Sequence, residues 1–316
     1  MSRDLVDPEL HSLLDVFPTL TLTADILPAV RAAAIPFPPD PRAVEAVTLD
    51  ERTVPGPAGN PDVGIRIYAP RVRRGPLPCL FHIHGGGFVT GSAVGLQAVH
   101  YPLALEADCV IVSVDYRLAP ETVFPGAIED CYAALGWVFA HTDELGVDSQ
   151  RIGLTGESAG GGLAASLALL VRDRGQYAFA FQHLIYPMLD DRTCVRDDPH
   201  PFVGQFIWTP GSNAFGWASL LGVAPGSPGV SPYAAAARAG DLSGLPPTYI
   251  ATGALDLFLE EDLEYARRLT RHGIPVELHV YPGAYHAFNI APDAMVAINA
   301  RRDSLAALKR ALHPPA

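Results

Sequence analysis

Basic residues are in short supply in this 316-residue chain: 22 Lys+Arg stand against 34 Asp+Glu, a net charge of −12 with His neutral. The resulting field repels phosphate backbones and anionic membrane surfaces, so no nucleic-acid partner is expected. Charge of either sign is sparse, at 18% of residues against 49% hydrophobic, a balance that excludes disorder and supports a substantial core. Long apolar runs are missing too. The longest apolar helical stretch, residues 163–171, is far too short to cross a bilayer, so no integral membrane association is expected. The first residues carry Asp4, Asp7, Glu9 and Asp15 where a secretory leader would have a basic end and an apolar run. Cysteine is scarce: Cys79, Cys109, Cys131 and Cys194 lie far apart with no C-x-x-C spacing, and Cys79 and Cys109 sit inside apolar runs. They read as reduced, mostly buried thiols of a cytoplasmic protein.

Glycine and proline are plentiful. The 29 Gly and 30 Pro exceed average usage by roughly half and demand many turns. From about residue 77, short apolar runs alternate with helical patterns. Residues 78–84, 109–116, 151–155, 180–186, 247–252 and 276–281 read as strands. Residues 127–140, 160–174, 260–272 and 294–312 read as helices; in the first, Ile128, Cys131, Leu135 and Val138 recur on one face. Such alternation predicts an α/β fold with a mostly parallel central sheet flanked by helices. Two regions break the rhythm: residues 1–45, and residues 191–240, which hold Phe202, Phe206, Trp208, Phe215 and Trp217 among many Gly and Pro. Loops that long are unusual inside a compact domain, so both read as pieces of one helical cap over the sheet.

Three sites carry chemistry. Gly156-Glu157-Ser158-Ala159-Gly160 fits G-x-S-x-G between a strand and a helix, the context in which a strained turn projects a serine hydroxyl from the sheet. His84-Gly85-Gly86-Gly87-Phe88 follows a strand; three glycines allow close backbone approach with N–H groups free for a developing oxyanion. A tight turn is the bland alternative, and no G-x-G-x-x-G register supports phosphate binding. A serine needs a base, and the base a carboxylate to orient it. Asp256, in Gly253-Ala254-Leu255-Asp256, and His286, in Gly283-Ala284-Tyr285-His286, each follow a strand, placing both at the sheet edge where Ser158 emerges. The order Ser, Asp, His is that of the α/β-hydrolases. His82 and His84 lie two apart without evident carboxylate or Cys partners, so they read as hydrogen-bonding residues, and no metal or cofactor is expected.

Together His84-Gly-Gly-Gly-Phe88, the run Asp115-Tyr116-Arg117-Leu118-Ala119-Pro120-Glu121, Gly156-Glu-Ser-Ala-Gly-Gly161, Leu255-Asp256-Leu257 and His286-Ala-Phe288 resemble the hormone-sensitive-lipase-like family of bacterial carboxylesterases. The resemblance covers about residues 75–312. It implies an α/β-hydrolase fold with nucleophile Ser158, acid Asp256, base His286 and oxyanion donors in the backbone of Gly86, Gly87 and Ala159. It also implies a cap built from residues 1–45 and 191–240 over a core of 46–190 and 241–316, and a bracing role for Arg117 and Glu121 as an ion pair. Position 157 departs from the family, which usually has Asp or Thr there, and Leu257 stands where many members have Pro.

The expected activity is hydrolysis of short- to medium-chain carboxylic esters, with a small-molecule ester as the partner. Phe206, Trp208, Phe215 and Trp217 either line the pocket or form the cap's own core. Rival readings are an arylformamidase-like amidase with the same triad and a non-catalytic ligand-binding homologue. The last strand and helix, at the sheet's edge, point to a homodimer.

Overall fold

The computed structural model describes residues 2–17, 19–33 and 38–314. Its centre is an eight-stranded sheet in the order β1-β2-β4-β3-β5-β6-β7-β8. The strands are β1 Val47–Val54, β2 Val63–Pro70, β3 Leu77–Ile83, β4 Val110–Asp115, β5 Val147–Glu157, β6 Gln182–Ile185, β7 Thr248–Gly253 and β8 Val276–Tyr281. β1 and β2 form an antiparallel hairpin set antiparallel on β4, and every other pairing is parallel. The sheet is mostly parallel, as the strand–helix alternation predicts, and the fold is the α/β-hydrolase fold that the resemblance implies.

Helices cover both faces: α1 His11–Val16, α2 Leu27–Ala32, α3 Pro41–Ala46, α4 Gln97–Glu106 and α5 Gly126–Ala140, then α6 Thr142–Leu145, α7 Ala159–Arg174, α8 Pro210–Leu221, α9 Leu259–Arg271 and α10 Met295–Leu312. Every residue of β3 and β7 is buried, which is why these strands read as continuous apolar runs rather than alternating ones. On one face Phe81, Ile83, Val112, Val114, Leu154 and Ile250 join α5, α7 and α9 in the main core. On the other, Tyr68, Leu80, Cys109 and Ile111 meet α3, α4 and the end of α10. α7 must lie close: a Cβ on Gly162 would sit 2.0 Å from the Met188 carbonyl oxygen. It ends at Gly175, in the left-handed region, with Arg172 and Arg174 in its last turn.

One row on the second face is polar. Glu51, Arg66, Ser113, His82, Thr155, His183, Tyr249 and Glu277 are successive register partners, one from each strand. Three neighbouring pairs bond side chain to side chain: Arg66 pairs with Glu51, Ser113 Oγ lies 2.8 Å from His82 Nδ1, and Thr155 Oγ1 lies 3.0 Å from His183 Nδ1. The His183 ring stacks on Tyr249 at 4.7 Å.

The two irregular regions meet each other. The Leu22 N–H donates to Ser212 Oγ at 2.9 Å, Ser212 Oγ donates to the Leu20 carbonyl at 3.1 Å, and the Ile207 N–H donates to Thr19 Oγ1 at 3.2 Å. α8 starts on Thr209, whose hydroxyl accepts from the Ser212 N–H, and stops at left-handed Gly222. α3 lies elsewhere, packed on α4 and β1. Residues 1, 18 and 34–37 of the expected N-terminal cap piece lie outside the described residues, as do 315 and 316.

Asp262, in the first turn of α9, is fully buried. Burial, then the Glu261 and Asp256 carboxyls beside it, holds its carboxyl well above the usual range. A raised folded-state pKa favours the fold fully below the unfolded value and loses that contribution as pH rises toward the folded one. Asp262→Asn should therefore raise the urea midpoint at about pH 8 and leave it unchanged at about pH 3.5. An equal gain at both pH values would contradict this origin.

Candidate active site

Ser158 occupies the turn between β5 and α7 at φ 55° and ψ −123°. That region is costly for a residue with a side chain, and it is held from three sides. The Ser158 N–H donates to the Ile185 carbonyl at 2.9 Å, and its own carbonyl accepts from Gly162 at 3.0 Å and Met188 at 2.9 Å. Gly156 and Gly160 are small of necessity: a Cβ would lie 2.4 Å from the Gly160 oxygen in the first case and 2.1 Å from the Ile83 oxygen in the second.

His286 Nε2 lies 2.9 Å from Ser158 Oγ, and His286 Nδ1 lies 2.8 Å from Asp256 Oδ2. Residues 128 and 30 positions apart in sequence thus form one hydrogen-bonded line. Asp256 is fully buried, and its Oδ1 accepts the Phe258 N–H at 3.0 Å. With the carboxylate accepting at Nδ1, the Nε2 lone pair is left to face the serine hydroxyl. Tyr186 packs edge-on against the His286 ring at 4.6 Å, Phe258 at 5.3 Å, and Trp208 lies 6.3 Å away. Water therefore has little access to the pair: Ser158 is 7% exposed and His286 5%.

The glycine loop lies against this line. Gly86 and Gly87 have φ of 121° and 61°, and the Gly86 carbonyl is tied into the turn by N–H bonds from Val89 and Thr90. A Cβ on Gly85 would stand 2.8 Å from the Glu157 oxygen and 3.4 Å from Ser158 Cβ; one on Gly87 would strike the Trp208 ring at 2.1 Å. Gly86 and Gly87 follow Gly85 in this loop, and Ala159 opens α7 directly after Ser158. His84 is structural. Its Nδ1 lies 2.8 Å from the Gly85 carbonyl, its ring stacks on Tyr116 at 4.2 Å, and burial pushes it down to about 4, so it is neutral. Among the described residues no group of three or more His, Cys, Asp and Glu could hold a metal ion.

A family model described as the alpha/beta hydrolase fold matches residues 80–290. The carboxylesterase NlhH of Mycobacterium tuberculosis is 36% identical, the match covering 99% of this chain and 98% of that one. The esterase LipI of the same organism is 34% identical over 98% and 97%. A solved structure titled bacterial heroin esterase superposes with a TM-score of 0.91 at 40% identity, covering 99% and 100%. The chain belongs to the hormone-sensitive-lipase-like family of α/β-hydrolases.

Within that family frame, one expected contact is corrected. Arg117 and Glu121 do not pair with each other. Arg117 forks onto buried Asp130, with Nη2 2.6 Å from Oδ1 and Nε 2.8 Å from Oδ2, while Glu121 takes Arg31 of α2 at 2.7 Å. The intervening chain positions the two carboxylates for different partners, one inside and one at the surface. Arg31 also donates to the Val89 and Ala119 carbonyls, tying the N-terminal segment to the loop beyond Gly87. The four candidate aromatics separate as well. Trp208 reaches the site, Phe206 packs on Tyr285 beside it at 5.7 Å, Trp217 is fully buried behind the glycine loop against Phe88, and Phe215 is half-buried on the main core. Tyr186 and Phe258 escaped the sequence reading, although both follow strand ends on the same edge as Ser158. Arg31 had no signal at all, lying in a segment without periodicity.

Gly160→Ala should destabilise the protein by about 3 kcal/mol or more in chemical denaturation, because backbone oxygens cannot yield to the new methyl. Gly240→Ala, whose Cβ would meet nothing within 4 Å, is the control and should be near neutral.

Proposed function

We propose that this protein is a serine carboxylesterase that hydrolyses short- to medium-chain carboxylic esters through an acyl-enzyme on Ser158. The observation that carries the reading is the unbroken line from Asp256 through His286 to Ser158 Oγ. His286 takes the serine proton as Oγ attacks the ester carbonyl, Asp256 holds the imidazole in its tautomer, and the N–H groups of Gly86, Gly87 and Ala159 hold the oxyanion. His286 then protonates the leaving alcohol, and water repeats the cycle on the acyl-enzyme. Relatives named carboxylesterase and esterase, matched over nearly the whole chain, support ester hydrolysis over the amidase reading. The intact base argues against a non-catalytic binder.

Residues 1–45 and 191–240 are read as the cap, with Trp208 as its contribution to the pocket wall; the bonds between residues 19–22 and 207–212 support a single cap unit. Phe206, Phe215 and Trp217 are assigned to support of that wall. No helix among the described residues is long and apolar enough to cross a membrane. A cytoplasmic setting fits the four cysteines, which are free, with burial pushing Cys79 up to about 12. A homodimer would form along β8, where Leu278 and Val280 are exposed, and light scattering should then give about twice the 33.6 kDa of one chain. The net charge of −12 disfavours nucleic acid as a partner.

Ser158→Ala should reduce turnover of p-nitrophenyl butyrate to the residual level left by the oxyanion hole and binding, about a thousandfold or more below wild type. Substantial surviving activity would overturn the assignment.

A further inference from the structure

Glu157 stands between the end of β5 and the nucleophile, and nothing in the reaction as described uses its side chain. Its carboxylate oxygens lie 3.0 and 3.2 Å from His82 Nε2, across the junction between β5 and β3. His82 is 2% exposed, and its other ring nitrogen is held by Ser113 of β4 at 2.8 Å. The ring packs in a T-shaped arrangement with His100 of α4 at a 4.4 Å centroid distance. Burial would raise the Glu157 carboxyl, but its electrostatic and hydrogen-bond interactions with His82 outweigh it and hold the group below its usual range. A carboxylate can only accept, so His82 Nε2 carries the proton and donates it to Glu157.

The position of this bond gives it meaning. β3 and β5 are parallel neighbours with Ile83 opposite Gly156. Two residues beyond His82 the chain enters the glycine loop; one residue beyond Glu157 it reaches Ser158. At that point the two segments have no further ladder pairing, and they touch where Gly85 meets the Glu157 carbonyl. The site therefore consists of two chain segments leaving adjacent strands, one holding the attacking oxygen and the other two of the donors for the oxyanion. Their separation must be kept to a fraction of an ångström for both to act on one carbonyl.

We propose that the His82–Glu157 pair is a positioning device that clamps the nucleophile turn to the glycine loop and so sets the distance between Ser158 Oγ and the N–H groups of Gly86 and Gly87. This rests on the reading of Ser158 as nucleophile and of the loop as oxyanion hole. Such a pair, with His82 buried and Glu157 partly exposed, adds little net stability. Its value lies in geometry, because a charge-assisted bond between two short, well-packed side chains tolerates little slack. The pair does not touch substrate, so its loss should appear in the chemical step and not in binding.

The test measures kcat and KM for p-nitrophenyl butyrate in Glu157→Ala, Glu157→Gln, His82→Phe and the double variant His82→Phe/Glu157→Ala. A serine-reactive phosphonate labels and counts competent sites, so that rates are expressed per labelled Ser158 and a misfolded fraction drops out. Glu157→Ala and His82→Phe should each lose on the order of tenfold to a hundredfold in kcat with KM within about twofold. Glu157→Gln, which keeps an acceptor of the same shape, should recover to within about fivefold of wild type. The double variant should be no slower than the worse single one. Normal kcat per labelled site in Glu157→Ala, a loss carried by KM, or additive losses in the double variant would overturn the clamp. Failure of wild-type Ser158 to take up the phosphonate would instead overturn the nucleophile assignment beneath it.

Discussion

A serine held at φ 55° has a backbone that it would leave if it could, and the surrounding structure is arranged so that it cannot. Three backbone hydrogen bonds, one donated to Ile185 and two accepted from Gly162 and Met188, fix the Ser158 peptide, and those residues belong to the strand, helix and loop adjoining β5. Because the turn is that tight, residues 156 and 160 have no room for a side chain, and α7 must pack against the sheet with glycine and alanine on its near side. The parallel sheet is the platform that makes this possible. Strands ending at one edge deliver Ser158, Asp256 and His286 from separate parts of the chain, and the apolar interior on both faces prevents those ends from shifting.

Most of that platform is written in the sequence because its physics is local. The buried strands announce themselves as apolar runs bounded by Gly or Pro; α8 carries Thr-Pro at its start and Gly at its end; the serine turn is marked by the small residues that its sterics demand. The triad was legible for a related reason: each member follows a strand, and parallel strands share one functional edge. The hairpin of β1 and β2 was not read. β1 is an edge strand with exposed charges, and β2 finds its second partner in β4, far along the chain, with Gly64 opposite Asp115. α4 was missed as well, because Pro102 lies inside it and its apolar residues form no clear stripe. Side-chain partners across such distances leave no pattern, which is why Arg117 was matched with the nearer Glu121 when Asp130, one turn into α5, holds it instead.

The site is shielded as much as it is built. Tyr186, Phe258 and Trp208 surround the imidazole with apolar surface, and Trp208 rests on Gly87, so the same side chain covers the imidazole and backs the glycine loop. In so dry a setting a hydrogen bond to a developing charge is stronger than it would be in water. Arg31 extends the arrangement outward, joining α2 to the Val89 and Ala119 carbonyls and to Glu121. The N-terminal segment is thereby coupled to the loop that carries the glycines.

The polar row that crosses the sheet has a bearing on how the strands find each other. Apolar faces are forgiving, since a leucine that slides by two positions meets another apolar partner. Eight polar side chains, one per strand, with Glu51–Arg66, Ser113–His82 and Thr155–His183 bonded across neighbouring strands, are not. If the strand carrying one of these bonded residues slipped by one position, its polar member would turn to the opposite face and leave its neighbour without a partner. The row thus behaves as an alignment key during assembly, rejecting mispaired sheets that hydrophobic burial alone would accept.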